Sequence, residues 1–187
     1  METVERADEG KNSGLEDLRR VSRKAHEAVD EVFSRFDLAD RKSYGAFLTA
    51  HARALVVAEN YLSRHASSVP AWLPRGGLLR EDLRQMGLPV PAVQQDSFAE
   101  SEGTALGVLY VLEGSRLGGR VLSGRVGEGF PKAYLSAFHQ KGEWPAFLDR
   151  LGVYLDGSDA SGRQAVTEGA VAAFALFRNA ALLQPEI

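Results

Sequence analysis

The chain has 187 residues, of which 44% are hydrophobic and 25% are charged, and its formal net charge is −3. This length and composition fit one compact domain with a sizeable core, and the slightly negative charge argues against broad nucleic-acid binding. The sequence holds no cysteine, which excludes disulfides, zinc thiolate sites, iron–sulfur clusters and a cysteine nucleophile.

The N-terminal segment is polar and acidic and has no hydrophobic centre, so it does not form a signal peptide. We predict a disordered tail over residues 1–14, because such a segment buries too little surface to offset the entropy of ordering. Residues 15–187 should form one domain, since no repeat or linker divides them. No apolar run approaches the ~20 residues that cross a bilayer, so we expect a cytoplasmic protein without membrane association.

Helical periodicity dominates the chain, whereas Val and Ile do not cluster in the alternating runs that are typical of strands. The pattern therefore predicts an all-α, single-domain, multi-helical fold. Ser13 or Asn12 would cap the first helix. Gly76 and Gly77 would interrupt the helical periodicity before the third helix. A loop is expected over 89–95. Six or seven helices are expected, over residues 15–36, 43–65, 80–86, 101–124, 131–140, 143–155 and 159–183.

One histidine lies on the apolar stripe of the first predicted helix. At about 100° per residue, His26 falls in the middle of the stripe that begins at Leu15. A core-facing imidazole needs hydrogen-bond partners. Asp30, one turn later, would hold one ring nitrogen and leave the other free to bind a ligand, and Arg19 and Arg23 on the same edge would favour an anionic group. A satisfied core histidine beside a solvated basic edge is the alternative interpretation.

The segment GTALGVLYVLEGSRLGGRVLSG, residues 103–124, is apolar and periodic yet rich in glycine. Interior glycine destabilises a helix by about 0.5–1 kcal/mol relative to alanine, so a compensating role is expected. A face without side chains lets a flat, bulky partner approach closely, and close packing against another helix is the alternative. Helical spacing puts four glycines and a tyrosine on this face, with a serine beside them: Gly103, Gly107, Gly114, Gly118, Tyr110 and Ser115.

Two segments together resemble the haem oxygenase family. LRRVSRKAHEAVD, residues 18–30, is similar to its proximal helix, and YVLEGSRLGGRVL, residues 110–122, to its distal helix with the bacterial pattern Tyr-x-x-x-Gly-Ser-x-x-Gly-Gly. The similarity is to bacterial members, including those whose biliverdin feeds bacterial phytochromes. It extends over most of residues 15–183, although only these two segments are specific. It implies a haem oxygenase-like fold and an enzyme that opens haem, at once cofactor and substrate, to biliverdin, carbon monoxide and iron.

The resemblance also implies roles for ten residues. His26 matches the axial iron ligand, and Asp30 stands where the family has an acid, more often glutamate, that hydrogen-bonds this ligand. Arg19 stands at a propionate-binding position that is usually lysine, and Tyr110 matches a propionate-contacting tyrosine. Gly114, Gly118 and Gly119 match the distal backbone, which would steer attack to one meso carbon, and Ser115 would help hold a proton-supplying water. Phe174 matches a pocket-lining aromatic ring, and Arg178 would make a further propionate contact.

The chain carries no flavin or nicotinamide fingerprint. Electrons would therefore come from a separate reductase or ferredoxin, steered by cations that include Arg120 and Arg125, and a bacteriophytochrome would accept the bilin. Three alternatives stay open: a haem-binding, storage or sensing protein of the same fold, a thiamin-salvage enzyme, against which the missing cysteine argues, and an interaction domain with the glycine face as its dimer seam.

The remaining candidates are interpreted as structural. Glu113 should point away from the glycine face and pair with Arg116 or Arg120. The other histidines, at positions 51, 65 and 139, have no second ligand at metal-site spacing. Trp72 and Trp144 lie near prolines and glycines, where tryptophan usually has a packing role.

Overall fold

The computed structural model describes residues 13–184. Within this range the chain forms six helices and no strand, which confirms the all-α prediction. Residues 1–12 of the predicted tail, including the candidate cap Asn12, lie outside the described range, and the first helix already begins at Ser13. The helices are α1 (Ser13–Phe33), α2 (Arg41–Arg64), α3 (Gly76–Gln85), α4 (Glu102–Ser123), α5 (Glu143–Gly157) and α6 (Ala160–Leu182).

Helix α6 lies at the centre and packs against α1, α2 and α4. It crosses α4 where both helices carry glycine: Gly107 lies directly on the backbone of Val166 and Ala170, and Gly169 lies on the backbone of Thr104. Small residues at a crossing let two backbones approach closely. By length and composition α6 would suffice to span a membrane, but its buried face here is the contact with its neighbouring helices.

Helix α2 supplies the largest share of the buried core. Its large buried side chains include Tyr44, Phe47, Leu48, Leu55 and Leu62. The helix begins at Arg41, two residues before the predicted start, because the carboxylate of Asp40 accepts a hydrogen bond from the backbone N–H of Ser43 at 2.8 Å.

Helix α3 begins at Gly76, four residues before the predicted start at Arg80. The missed feature is a cap from another helix: the buried carboxylate of Glu59, on α2, accepts hydrogen bonds from the backbone N–H groups of Arg75 at 2.6 Å and Gly76 at 3.0 Å. Burial raises the pKa of Glu59, and these two hydrogen bonds oppose that rise. Two glycines in sequence therefore start this helix instead of breaking it.

The helix predicted over 131–140 is wrong. The segment forms turns, with one helical hydrogen bond from Ser136 N–H to the Lys132 carbonyl. Its start is held by the buried carboxylate of Asp82, on α3, which accepts the N–H groups of Ala133 at 3.1 Å and Tyr134 at 2.9 Å. Since these contacts lie about 50 residues away in sequence, the local pattern does not contain them.

Candidate functional site

Helices α1 and α4 both pack against α6, and the space between their second halves, above α6, is called the groove below. Gly103 lies against Gly162 and Ala165 of α6, and Gly107 lies four residues further along both helices, so α4 and α6 run in the same direction. Contacts from His26 to Phe174 and from Arg35 to Ala181 show the same direction for α1 and α6. Beyond the crossing, Gly114 and Gly118 have no α6 atom within 4 Å of the position of an added Cβ, so this face of α4 no longer packs on α6 there.

His26 lies in this groove and not in the core. Its side chain is 59% exposed, which corrects the expectation of a core-facing imidazole. The first half of the apolar stripe, with Leu15 and Leu18, is buried, whereas Val29 and Phe33 in the second half are only half-buried. The stripe therefore packs against the core at its start and borders the groove further along.

Two side chains flank the His26 ring. Phe174 of α6 stacks on it, with ring centroids 5.2 Å apart and an interplanar angle of 29°. Asp30 Oδ2 lies 3.6 Å from His26 Nε2, longer than a hydrogen bond. Within residues 13–184, no group of three or more His, Asp or Glu side chains is placed to hold a metal ion.

The basic edge of α1 reaches across to α4. The Arg19 guanidinium approaches the Tyr110 hydroxyl closely enough to lower its pKa, although burial, the larger effect, raises that pKa overall. Arg20 pairs with Asp17 at 2.8 Å, and Arg23 lies 3.8 Å from Glu27. Arg19 is thus the basic residue of this edge that the structure brings to the predicted tyrosine of the other wall.

The glycine face of α4 serves two purposes. Gly103 and Gly107 pack against α6, as the helix-packing alternative requires. Gly118 has no atom within 4 Å of the position that a Cβ would take, and Gly114 has only the indole of Trp144, at 3.5 Å. Only the second half of the face is therefore open to a ligand.

Two of the predicted distal residues point elsewhere. Gly119 lies on the opposite side of α4, where an added Cβ would be 2.9 Å from the carbonyl oxygen of Leu135. The Ser115 hydroxyl donates to the carbonyl of Leu112 at 2.7 Å and accepts from Arg75 Nη2 at 2.6 Å. Gly114 and Gly118 thus border the groove, while Gly119 and the Ser115 hydroxyl contact the interior behind it.

Arg75 is a residue that the sequence did not reveal. It is 4% exposed, it donates to the Leu112 carbonyl at 2.9 Å, and its guanidinium lies 5.1 Å from the centre of the Tyr134 ring. The Tyr134 hydroxyl in turn lies 2.7 Å from His51 Nδ1. Desolvation, followed by the charge of Arg75, lowers the pKa of His51 to about 3. A buried, polar network of Ser115, Arg75, Tyr134 and His51 therefore backs α4.

The remaining candidates border the groove to different degrees. Phe174 is half-buried under the imidazole, and Arg178, one turn further along α6, is exposed and makes no hydrogen bond within residues 13–184. Trp144 of α5, predicted as a packing anchor, also edges the groove, since its ring lies 5.9 Å from that of Tyr110 and beside Gly114. Glu113 pairs with Arg116 at 3.0 Å, as predicted.

Comparisons with known proteins show which proteins this chain is similar to. The chain is 36% identical, over 148 residues, to a haem oxygenase of Xanthomonas campestris pv. campestris (strain 8004), covering 75% of this chain and 89% of that one. Its fold is similar to that of the NO- and CO-bound haem oxygenase of Neisseria meningitidis, with a TM-score of 0.74, 21% identity, and coverage of 93% and 94% of the two chains. No protein-family model matches.

Proposed function

The chain belongs to the haem oxygenase family, and we propose that it binds haem in the groove and, with oxygen and external electrons, opens it to biliverdin, carbon monoxide and iron. One observation carries this proposal: α1 and α4 run in the same direction on α6, and there α1 carries an exposed imidazole, His26, while α4 has open backbone at Gly114 and Gly118. Histidine is a common protein ligand of haem iron, and His26 would supply it here for haem, which would be both substrate and cofactor.

On the α1 side, His26 would be the axial ligand of the haem iron. A neutral imidazole is a common metal ligand, and its second nitrogen usually donates to a carboxylate or carbonyl that fixes the ring. Asp30 is already 3.6 Å away, so a small rotation would complete this hydrogen bond. Phe174 lies against the ring and would limit its rotation.

The propionates would lie at the end of the groove where Arg19 meets Tyr110. A guanidinium and a phenol both donate to carboxylates, and the half-buried position of Tyr110 keeps its hydroxyl protonated. Arg178, exposed on α6, lies one turn beyond Phe174 and on the side away from Arg19, so it does not join this cluster. Holding the propionates would fix the rotation of the macrocycle in the groove and hence which meso carbon the α4 backbone leaves open to attack.

On the α4 side, Gly114 and Gly118 would let the backbone lie directly on the haem face and restrict attack to one meso carbon. Gly119 would act indirectly, by allowing α4 to lie against Leu135. Ser115 would also act indirectly, because its hydroxyl donates to the Leu112 carbonyl and accepts from Arg75 behind α4, which would help to fix the backbone next to Gly114.

The test is optical. Haem-loaded protein, given reductant and oxygen, should lose its Soret band and develop a biliverdin spectrum. The His26→Ala variant should lose the native ligation spectrum and turnover, and added imidazole should restore the spectrum. The matched control is His65→Ala, because that ring lies at the far end of α2, beside Glu100. Full turnover by His26→Ala without imidazole would contradict the proposal.

A non-catalytic haem-binding, storage or sensing protein of the same fold is the second candidate, since it would use the same His26. The same experiment separates the two: a carrier would keep its haem spectrum through repeated additions of reductant and oxygen.

For partners and location, the proposal includes a separate reductase or ferredoxin as electron donor, a bacteriophytochrome as bilin acceptor, and a cytoplasmic site of action. The exposed basic residues of α1, Arg19, Arg20, Arg23 and Lys24, support an acidic donor docking beside the groove. The number of electrons delivered per haem opened, measured with different purified donors, would test this part.

A further inference from the structure

Beyond its crossing with α6, helix α4 is held from the side that faces away from the groove. Its groove face, at Gly114 and Gly118, has no α6 atom within 4 Å of the position of an added Cβ. Leu112, Arg116 and Gly119 are buried, and at about 100° per residue they lie about 140–200° around the helix from Gly114. Contacts on this rear side of α4 therefore set where the groove wall lies.

Arg75, the residue before α3, binds this rear side. Its Nη2 donates to the Leu112 carbonyl at 2.9 Å and to the Ser115 hydroxyl at 2.6 Å. The hydroxyl in turn donates to the same carbonyl at 2.7 Å. The three groups thus form a closed triangle of hydrogen bonds next to Gly114, and the two bonds from the guanidinium are charge-assisted. Two such bonds to one helical turn oppose both rotation of α4 and its movement away from Arg75.

The segment that carries Arg75 is fixed in turn by α2. The Glu59 carboxylate accepts from the backbone N–H groups of Arg75 at 2.6 Å and of Gly76 at 3.0 Å. Two residues earlier in the same segment, the Leu73 carbonyl accepts from the Arg116 guanidinium of α4. The rear side of α4 is therefore connected to the buried face of α2 through residues 73–76.

Stability alone does not explain an arginine at this position. Burial lowers the pKa of Arg75, so the charged form is disfavoured there. Within residues 13–184 its guanidinium contacts no carboxylate, because Glu59 accepts from backbone N–H groups and Glu113 pairs with other side chains, Arg116 and His139. A buried cation without a carboxylate in contact is unfavourable. The benefit of Arg75 therefore lies in what its hydrogen bonds hold.

We infer that Arg75 is a positioning residue for the opening of haem: by holding one turn of α4, it fixes how far Gly114 lies from His26. Because the macrocycle would lie between these two residues, a change in that distance would alter how it is seated and which meso carbon α4 leaves open. Arg75 acts through α4, since it binds the rear side of that helix. This inference rests on the proposed function.

Three variants test it. Arg75→Met removes the guanidinium and keeps an unbranched side chain. The Leu112 carbonyl would still accept from the Ser115 hydroxyl, so neither group loses its last partner and the variant should fold. Arg75→Lys keeps a cationic donor without the guanidinium geometry. Ser101→Ala is the matched control, because it removes the cap at the opposite end of the same helix.

The first measurement is amide hydrogen exchange of the full chain without haem. Arg75→Met should speed exchange at residues 112–118 about tenfold, because the loss of charged hydrogen bonds lowers the free energy of local opening. Arg75→Lys should speed it less, and Ser101→Ala should leave these residues unchanged. Unchanged exchange at 112–118 in Arg75→Met, or equal acceleration throughout the chain, would overturn the inference.

The second measurement is chromatography of the bilin isomers after haem turnover. Arg75→Met should give a different isomer ratio from the native chain while keeping the His26 ligation spectrum. Arg75→Lys should move the ratio back towards the native one, and Ser101→Ala should equal it. Native turnover with the same ratio in Arg75→Met would overturn this inference alone. Absence of turnover by the native chain would overturn the proposed function and this inference with it.

Discussion

Gly107 of α4 packs on the backbone of Val166 of α6 so closely that even a methyl group at Gly107 would overlap the Val166 carbonyl oxygen. Eleven residues further along the same helix, Gly118 has open space where its side chain would be. Two glycines of the same helix therefore differ: the first is required for packing against α6, whereas the second, in the function proposed above, would give haem access to the backbone of α4.

Substitution of these two glycines should separate stability from activity. Gly107→Ala should lower the free energy of unfolding by about 1–3 kcal/mol, as overpacking does. Gly118→Leu should leave the fold intact but abolish or redirect ring opening while preserving the His26 ligation spectrum. Denaturant unfolding and chromatography of the bilin products check the two outcomes. Unchanged product and rate in Gly118→Leu would mean that the open backbone does not contact haem.

The contact between Arg19 and Tyr110 should control the rotation of haem. Tyr110→Phe removes the hydroxyl but keeps the ring against Trp144, so we expect a mixture of biliverdin isomers with little loss of stability. Arg19→Lys should retain most of the native isomer, because an ammonium also pairs with a propionate. Arg20→Ala is the control, since that side chain pairs with Asp17 on the outer surface. A single, unchanged isomer in Tyr110→Phe would contradict this assignment.

The two glycines at the start of α3 should respond oppositely to alanine. In Gly76→Ala the new methyl would lie 2.6 Å from Glu59 Oε2 and displace the carboxylate that caps the helix, so we expect a loss of about 1–2 kcal/mol of stability. Gly77 has no neighbour within 4 Å, and Gly77→Ala should stabilise the protein by about 0.5–1 kcal/mol. Thermal unfolding of the pair measures the difference, and equal effects would contradict the role of Glu59.

His51 should make the protein sensitive to mild acid. Its folded-state pKa is lowered from 6.5 to about 3, so below pH 6.5 the unfolded chain binds a proton that the folded chain does not. The free energy of unfolding should therefore fall as the pH drops from about 6.5 towards 3, by at most about 1.4 kcal/mol per pH unit from this group.

His51→Asn keeps an acceptor for Tyr134 and removes the titration. The difference in unfolding free energy between the native chain and this variant should thus change with pH over that window, because the other groups cancel. A difference that is flat from pH 7 to pH 4 would show that His51 does not titrate as described.

The sequence predicted α4 to within one residue at each end because Ser101 caps it locally, by accepting from the N–H of Thr104 at 3.1 Å. It failed at α3 and at 131–140, where carboxylates of other helices, Glu59 and Asp82, hold the backbone. A local sequence pattern indicates helix propensity and nearby caps. It does not indicate hydrogen-bond partners that are distant in sequence and meet only in the folded chain.

The same distinction applies to the candidate site. His26 was identified by its helical position, but whether a stripe residue faces core or groove depends on how far α4 lies from α1. Arg75 and Trp144 have no local signal at all, since an arginine before two glycines and a tryptophan before a proline are ordinary surface patterns. Only the fold places them behind and beside the glycine face.

The central position of α6 has a consequence for engineering. Its small side chains at Ala170 and Ala173 are fully enclosed, so larger side chains there would overpack the contacts of α6 with its neighbours. Variants aimed at a different substrate should therefore change residues that border the groove and leave these alanines in place.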